Sequence, residues 1–494
     1  MSGTYKTLSQ LGLRAPGGRD PKITGISVDS RQVRDGHLFA ALPGSAAHGG
    51  EFIPFALRQG AGAILTDRQG AEIAAAELAA SDAALVVAED PRAALAGAAA
   101  LWFETQPETV VAVTGTSGKT SVTNFTRQIW QALGHRAISL GTMGVEGDFN
   151  APLAHTTPEP VTLHRALSEA AATGVTHAAM EASSHGLDQR RLDGVRIAAG
   201  AFTNFSQDHL DYHKDFDSYF AAKALLFTHI LEPGAAAVIC TDDPRGREAA
   251  QIAQDRGLVV TTYGRGEGCD FRILSQRYDA TGQELRFSYA GEVRMIRLNL
   301  IGGFQAENVL CAAGLCVATG SDPERVLNAL PELTTVRGRM QLAAVRDNGA
   351  AVFVDYAHKP GAVIAALQSL RPHVMGRIVA VIGAGGDRDR AKRPLMGEAA
   401  RQFADVVYVT DDNPRTEDPA SIRAAVLEGA GPDAVEVGDR AEAILRAVDA
   451  LEPGDALLIA GKGHETGQIV GADVFPFDDA EQASIAVAAL DDRL

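Results

Sequence analysis

Short apolar runs rich in valine, isoleucine and alanine alternate along this chain with longer stretches whose apolar positions recur at helical spacing. The first kind reads as buried strand and the second as helix. Strands are expected at 23–28, 38–42, 63–65 and 84–87, with helices over 52–58 and 91–103. Gln106-Pro107-Glu108 reads as a linker. Beyond it, the run 110–113 stops at a loop of small residues and a helix follows over 122–133; strands at 137–142, 176–180, 199–203 and 235–240 and a helix at 161–173 continue the alternation. Shorter alternating runs at 284–289 and 293–298 suggest an antiparallel addition before a helix at 306–319. Strands at 351–354, 378–382, 406–409 and 456–459 then alternate with helices at 360–370, 397–403, 419–427 and 440–451. Such βα alternation predicts mostly parallel sheets with helices on both faces. The expected class is α/β in three domains: a small N-terminal α/β domain (1–107), a central doubly wound P-loop ATPase-like domain (108–335) and a C-terminal Rossmann-like α/β domain (336–494).

Composition narrows the setting. The 494 residues, 46% of them hydrophobic, suffice for several cores. A formal charge of −17 argues against general nucleic-acid binding, so an anionic substrate must be held by local cations and metal. The four cysteines lack C-x-x-C spacing, residues 1–18 have no apolar core of signal-peptide length, and alanine-rich runs such as 94–101 are too short to span a bilayer. A reducing, cytoplasmic location without membrane insertion is expected.

The densest chemistry lies after the run 110–113. Gly115-Thr116-Ser117-Gly118-Lys119-Thr120-Ser121 joins a strand to a helix. Backbone N–H groups and the helix end can cradle a polyphosphate, Lys119 can neutralise it and Thr120 can ligate Mg²⁺, which makes ATP the expected ligand. Val113 stands where the common eight-residue phosphate loop has its first glycine. In sheets of this kind ligands gather at the carboxyl ends of strands. There Glu181 heads Glu181-Ala-Ser-Ser-His-Gly and is the first metal candidate, and residues 203–213 form a dense run of possible ligands. Taken singly, each run reads equally as capping and surface polarity, and Lys223 as a helix-surface lysine.

In order, the loop at Gly115, Glu181-x-Ser-Ser-His-Gly, Thr203-Asn-x-x-x-Asp-His-Leu-Asp-x-His, Tyr219-x-x-x-Lys223, Asn308, Gly338-Arg339 and Asp355-Tyr-Ala-His358 resemble the motifs of Mur ligases over nearly the whole chain. The shortened phosphate loop is shared with folylpolyglutamate synthetases. The resemblance implies an ATP-dependent, amide-forming ligase of peptidoglycan precursor synthesis. It implies that Lys119, His209 and Lys223 are catalytic, that Thr120, Glu181, His209 and a carbamylated Lys223 serve Mg²⁺, and that Asn308, Arg339, Asp355 and His358 contact the nucleotide. Gln305 stands where the family usually has asparagine.

For the substrates, the resemblance implies that Ser30 meets the uridine end of UDP-MurNAc-L-Ala-D-Glu, and that Thr156, Thr157, Ser183, Gln189 and Arg191 hold its remainder. Asp412-Asn413-Pro414-Arg415, Gly461, Glu465 and Arg388 would take the acceptor. An arginine can pair bidentately with a carboxylate and a glutamate can take an ammonium, which suits meso-diaminopimelate; lysine-adding relatives usually lack the arginine. The alternatives are the L-lysine-adding homologue and, from another class, a non-catalytic nucleotide switch that would need only the phosphate loop. Beside Glu417 and Asp418, Arg415 also reads as a surface arginine. A monomer is expected.

Overall fold

The structure, a computed structural model, describes residues 5–44, 47–206 and 212–491. The chain divides into two compact units, Met1–Tyr263 with Cys311–Val326, and Gly264–Leu310 with Leu327–Leu494.

The first unit carries two main sheets and a two-stranded one. Parallel strands Gly25–Ser27, His37–Ala41, Ala63–Thr66 and Ala84–Val87 lie in sequence order. Successive residues serve opposite faces, Leu38 and Ala40 one core and Phe39 and Ala41 the other, as the two-residue strand period requires. The expected strand 23–28 is split. Lys22–Ile23 pairs antiparallel with Lys6–Thr7, and Thr24 turns aside to give its N–H to the Gly36 carbonyl (3.1 Å) and its hydroxyl to that of Asp35 (2.7 Å).

In the second sheet of this unit, strands Ala236–Cys240, Ala199–Phe202, Thr109–Thr114, His177–Glu181 and Ala137–Gly141 are parallel neighbours in that order. Thr109–Thr114 is central and covered from its second residue on, which explains its unbroken run of valine and alanine. The chain leaves it on one side for Ala137–Gly141 and His177–Glu181 and on the other for Ala199–Phe202. The crevice beyond its carboxyl end is therefore a topological switch point, where doubly wound sheets bind ligands. Helix Lys119–Ala132 starts there, earlier than the expected 122, because Gly118 takes a left-handed φ of 87° and lets Lys119 enter the first turn.

The second unit begins with the expected antiparallel addition, strands Phe271–Asp279, Gly282–Tyr289 and Glu292–Leu298. Its main sheet has the order Gln341–Val345, Ala351–Asp355, Ala456–Ala460, Ile378–Ile382, Val406–Val409 and Val435–Glu436, antiparallel at the first pair and parallel after it. Val352, Val379 and Leu457 face one core, Phe353, Ala380 and Leu458 the other. Helix Lys392–Phe403 is longer than the expected 397–403. Pro394 sits in its first turn, where a missing N–H breaks no intrahelical bond. Hairpin Gly467–Val470 with Asp473–Pro476 and helix Asp479–Leu490 were not expected. The first residues of helices Arg440–Asp449 and Asp479–Leu490 form a fully buried ion pair at 2.7 Å, and Arg440 also donates to the Ala460 carbonyl (3.1 Å). The α/β class expected from the pattern holds, and among the described residues no helix is long and apolar enough to cross a membrane.

Candidate active site

The phosphate loop is braced from the neighbouring strand. Past Ala199–Phe202, the Thr203 hydroxyl donates to the Ser117 carbonyl (2.6 Å), while Asn204 accepts the Thr116 N–H on its backbone (2.9 Å) and the Ser117 N–H on its side chain (2.9 Å). A Cβ on Gly115, whose φ is 137°, would lie 2.0 Å from the Thr203 hydroxyl oxygen, so only glycine lets the two strand ends approach. In the sequence Thr203 and Asn204 stand in a polar run and open a family motif, without a role of their own; their task is to hold the loop. Lys119 folds back, its ammonium donating to the carbonyls of Gly115 (2.8 Å) and Thr116 (2.9 Å), and Ser121 is buried in the helix behind it. Lys223, 1% exposed and 4.4 Å above the Tyr219 ring, donates to the same Gly115 carbonyl at 2.8 Å. Two lysine ammonium groups thus converge on one buried oxygen.

Beside this loop, Glu181 ends its strand 2% exposed, and its Oε1 accepts from the Thr120 hydroxyl (2.9 Å) and the Thr142 N–H (2.9 Å). Among the described residues no cation pairs with it. A buried carboxylate met only by neutral donors, next to a threonine hydroxyl and a phosphate loop, is a hard-oxygen set that fits Mg²⁺ completed by phosphate oxygens and water. No cage of three or more His, Cys, Asp or Glu side chains occurs among the described residues, and such a site needs none. His209 lies outside the described residues.

The residues expected to hold the nucleotide-sugar gather at the same strand end. Thr157 donates its hydroxyl to the Glu181 carbonyl (2.8 Å) and accepts the Ser183 N–H (3.0 Å); Thr156 and Thr142 hydroxyls meet at 3.0 Å. Arg191 donates to the Thr157 carbonyl (2.6 Å) and to the Gln189 side chain (2.8 Å), and Ser183 caps the short helix Ser184–Asp188 by accepting the Gly186 N–H. Ser30 stands apart from this group, in a cavity of about 760 Å³ lined by Val28, Asp29, Ser30, Arg31, Phe52 and Phe55 among others.

In the second unit, loops follow four parallel strands at one edge of the main sheet. Asp355 is spent on its own backbone, accepting the N–H groups of Met340 (2.8 Å) and Ala357 (2.8 Å), and burial raises its carboxyl above the usual range. The Arg339 guanidinium lies 4.9 Å over the Tyr356 ring. His358 donates to the Tyr356 carbonyl (2.8 Å), its imidazole lowered chiefly by burial. Burial, with Arg339 adding repulsion, pushes the neighbouring His464 down to about 4. Asn308 is buried and donates to Gln305 (3.1 Å), so the unusual glutamine serves as its acceptor. The turn before them is held by His373, which donates from Nδ1 to the Asp279 carbonyl (2.7 Å) and accepts the Gly302 N–H on Nε2 (3.0 Å).

At the next loop, Asn413 donates to Glu465 Oε2 (2.8 Å) and accepts the Ile469 N–H (2.9 Å). Arg415 takes a left-handed φ of 52° and is clamped by the unexpected hairpin: its N–H donates to the Ile469 carbonyl (3.0 Å) and its carbonyl accepts the Gly471 N–H (2.7 Å). Its guanidinium donates to the Gly386 carbonyl (2.8 Å), beside the loop that carries Arg388, and among the described residues no carboxylate pairs with it. Glu417, its apparent neighbour in sequence, is instead held by Arg393 (2.8 Å) and Arg390 (3.0 Å). A Cβ on Gly461 would lie 2.5 Å from Asp412 Oδ2, and one on Gly386 would strike the Pro414 carbonyl at 1.9 Å, so these loops interlock through glycines.

The comparisons agree with this arrangement. Three family models match in chain order: the Mur ligase family catalytic domain over residues 22–103, the Mur ligase middle domain over 113–316, and the Mur ligase glutamate ligase domain over 338–463. A UDP-N-acetylmuramoyl-L-alanyl-D-glutamate–2,6-diaminopimelate ligase of Bradyrhizobium diazoefficiens is 50% identical over 474 residues, 95% of each chain. One of the same description from Zymomonas mobilis is 47% identical, covering 99% of this chain and all of the other. A solved structure so described is 33% identical, with a TM-score of 0.73 over 98% of this chain and 99% of that one. The fold alone is shared with MurF ligase from Thermotoga maritima in complex with ADP, at 19% identity and a TM-score of 0.61, covering 95% of this chain and 97% of that one. With a phosphate loop at the central switch point, a buried acidic strand end beside it and an interlocked set of loops after the C-terminal strands, this chain belongs to the Mur ligase family.

Proposed function

We propose that the protein joins UDP-MurNAc-L-Ala-D-Glu to meso-diaminopimelate with conversion of ATP to ADP and phosphate, in the cytoplasmic part of peptidoglycan precursor synthesis. The observation that carries the acceptor is that the Arg415 guanidinium, which meets no carboxylate among the described residues, donates to the Asn413 carbonyl (3.5 Å), while the side-chain amide of the same Asn413 donates to Glu465 (2.8 Å). A carboxylate site and an ammonium site side by side suit the second amino-acid head of diaminopimelate; the side chain of L-lysine offers only the ammonium. Near-full-length relatives described as 2,6-diaminopimelate ligases support the same choice.

A carboxylate is a poor electrophile, so its oxygen first takes the γ-phosphoryl group of ATP and ADP leaves. The acceptor amine then attacks the acyl carbon, phosphate departs and the nitrogen loses its proton to form the amide. Gly115 to Ser121 and the amino end of their helix hold the phosphates, and Lys119 turns from its loop carbonyls to the β/γ-oxygens. Thr120 and Glu181 would hold Mg²⁺, with His209 assigned to a second ion; bound there, the metal supplies neutralisation of phosphate charge. Carbamylation would make Lys223 an anion and relieve the convergence of two ammonium groups on Gly115. Thr156, Thr157, Ser183, Gln189 and Arg191 hold the dipeptide end of the nucleotide-sugar and Ser30 the uridine end. Asn308, Arg339 and His358 are assigned to the nucleotide, with Asp355 holding the Arg339 turn. We place the domain boundaries near 107 and 335, outside the three matched stretches.

The test offers diaminopimelate and L-lysine side by side with ATP and the nucleotide-sugar. Phosphate release should require both the nucleotide-sugar and diaminopimelate. Equal turnover with L-lysine would overturn the acceptor assignment, and turnover of ATP alone would favour a nucleotide switch.

A further inference from the structure

The turn Gly461–Glu465 carries one residue with no place in the chemistry above. Lys462 is 0% exposed, although lysine is among the side chains least often fully buried. Its ammonium donates to Asn413 Oδ1 at 3.0 Å and lies 3.4 Å from Glu465 Oε2. Burying this charge is tolerable only with such partners, and both partners belong to the acceptor site.

The pairing has a geometric consequence. An amide group can usually be turned end for end, but Asn413 Oδ1 faces two groups that can only donate, the Lys462 ammonium and the Ile469 N–H at 2.9 Å. The oxygen must therefore stay on that side, which leaves Nδ2 directed at Glu465 Oε2 (2.8 Å). Both the amide and the ammonium thus hold the same oxygen of Glu465. Its Oε1 accepts nothing among the described residues, and the side chain is 35% exposed. One oxygen is tied inward and the other is presented outward.

We infer that Lys462 is a positioning residue for the acceptor amino acid: by locking Asn413 and one oxygen of Glu465, it aims the second oxygen at the acceptor's ammonium group. It does not touch the acceptor itself. A carboxylate free to rotate would meet the ammonium in many orientations, and ordering it in advance removes that cost from binding. The inference rests on the acceptor site proposed above.

The test compares the unaltered protein with Lys462→Met, which keeps the length of the side chain and removes every donor, and Lys462→Gln, which keeps a neutral donor for Asn413. Lys462→Met should raise KM for diaminopimelate at least tenfold, leave KM for ATP within twofold and leave kcat at saturating acceptor within threefold. Lys462→Gln should recover part of the loss. A KM for diaminopimelate within twofold of the unaltered protein in either soluble variant would overturn the inference. So would a parallel rise in KM for ATP accompanied by a fall in unfolding temperature, which would make Lys462 a structural clamp only. If Lys462→Met is insoluble, Lys462→Gln decides by the same split, with a threefold rise expected. Should the unaltered protein prefer another amino acid, the acceptor assignment falls, and the same comparison run with that amino acid still decides the role of Lys462.

Discussion

Arg415 shows how much one residue can cost to place. Its φ of 52° lies in a region that side-chain-bearing residues seldom occupy, and the hairpin at 467–476 holds it there through two backbone hydrogen bonds. Backbone strain of this kind persists only where surrounding structure over-determines it, and it clusters at ligand sites. Met340, beside Arg339, and Asp387, beside Arg388, share the left-handed conformation. The guanidinium that this strain positions makes its hydrogen bonds to carbonyl oxygens, chiefly that of Gly386, and among the described residues pairs with no carboxylate. Its role in acceptor binding predicts that Arg415→Ala raises KM for diaminopimelate by about 10- to 100-fold, the worth of a charge-assisted pair of about 1.5–3 kcal/mol. KM for ATP should stay within about threefold. Steady-state phosphate release with each substrate varied in turn checks both, and equal loss toward ATP would return Arg415 to a structural part.

Among the elements, the strand ends carry the function, and they were the most legible part of the sequence. Residues 110–113, 178–180 and 456–460 are continuous apolar runs because both of their faces are covered, and the first polar residue beyond each run marks the ligand edge. What the pattern could not reveal was side-chain traffic between distant loops. Thr203 and Asn204 brace a loop some 90 residues earlier. The hairpin that clamps Arg415 has an exposed strand and little apolar periodicity to announce it. Lys462 in sequence is simply a lysine between two glycines. Gly141 is a further silent case: it ends strand Ala137–Gly141, and a Cβ there would lie 2.1 Å from Glu181 Oε1 and 2.6 Å from its Cδ. Gly141→Ala should therefore push the carboxylate off the Thr120 hydroxyl and lower kcat at least about tenfold, since a displacement of about 1 Å at such a site is costly. The unfolding temperature should change little if the carboxylate rotates away. A Mg²⁺ titration of turnover that matches the unaltered protein would argue against a metal role for Glu181.

For the molecule as a whole, pH response follows from buried and half-buried imidazoles set in a strongly anionic chain. His177 and His464 are pushed down to about 4, and His164, His358 and His373 are also lowered, each chiefly by burial. The unfolded chain, with imidazoles near the ordinary 6.5, then binds more protons than the folded one between about pH 6.5 and 4. Their stabilising contribution is complete above about 6.5 and is lost as pH falls through the folded values. Two effects oppose this loss. Asp355 and Asp411, raised by burial, favour the folded state as they take up protons from the upper carboxylate range downward. The formal charge of −17 also shrinks on acidification, which relieves self-repulsion. Salt separates the second effect, because about 0.5 M screens exposed charges while leaving buried imidazoles almost untouched. In that buffer the unfolding temperature should fall by several degrees between pH 7.5 and 5.0. His177 packs its ring 4.9 Å from Trp130 and 4.2 Å from His135, so His177→Phe keeps an aromatic ring there and removes the titration. The variant should lose less stability over the same interval. An unfolding temperature that rises toward pH 5.0 in high salt would place the acid response in the carboxylates instead, and a slope unchanged by His177→Phe would remove His177 from it.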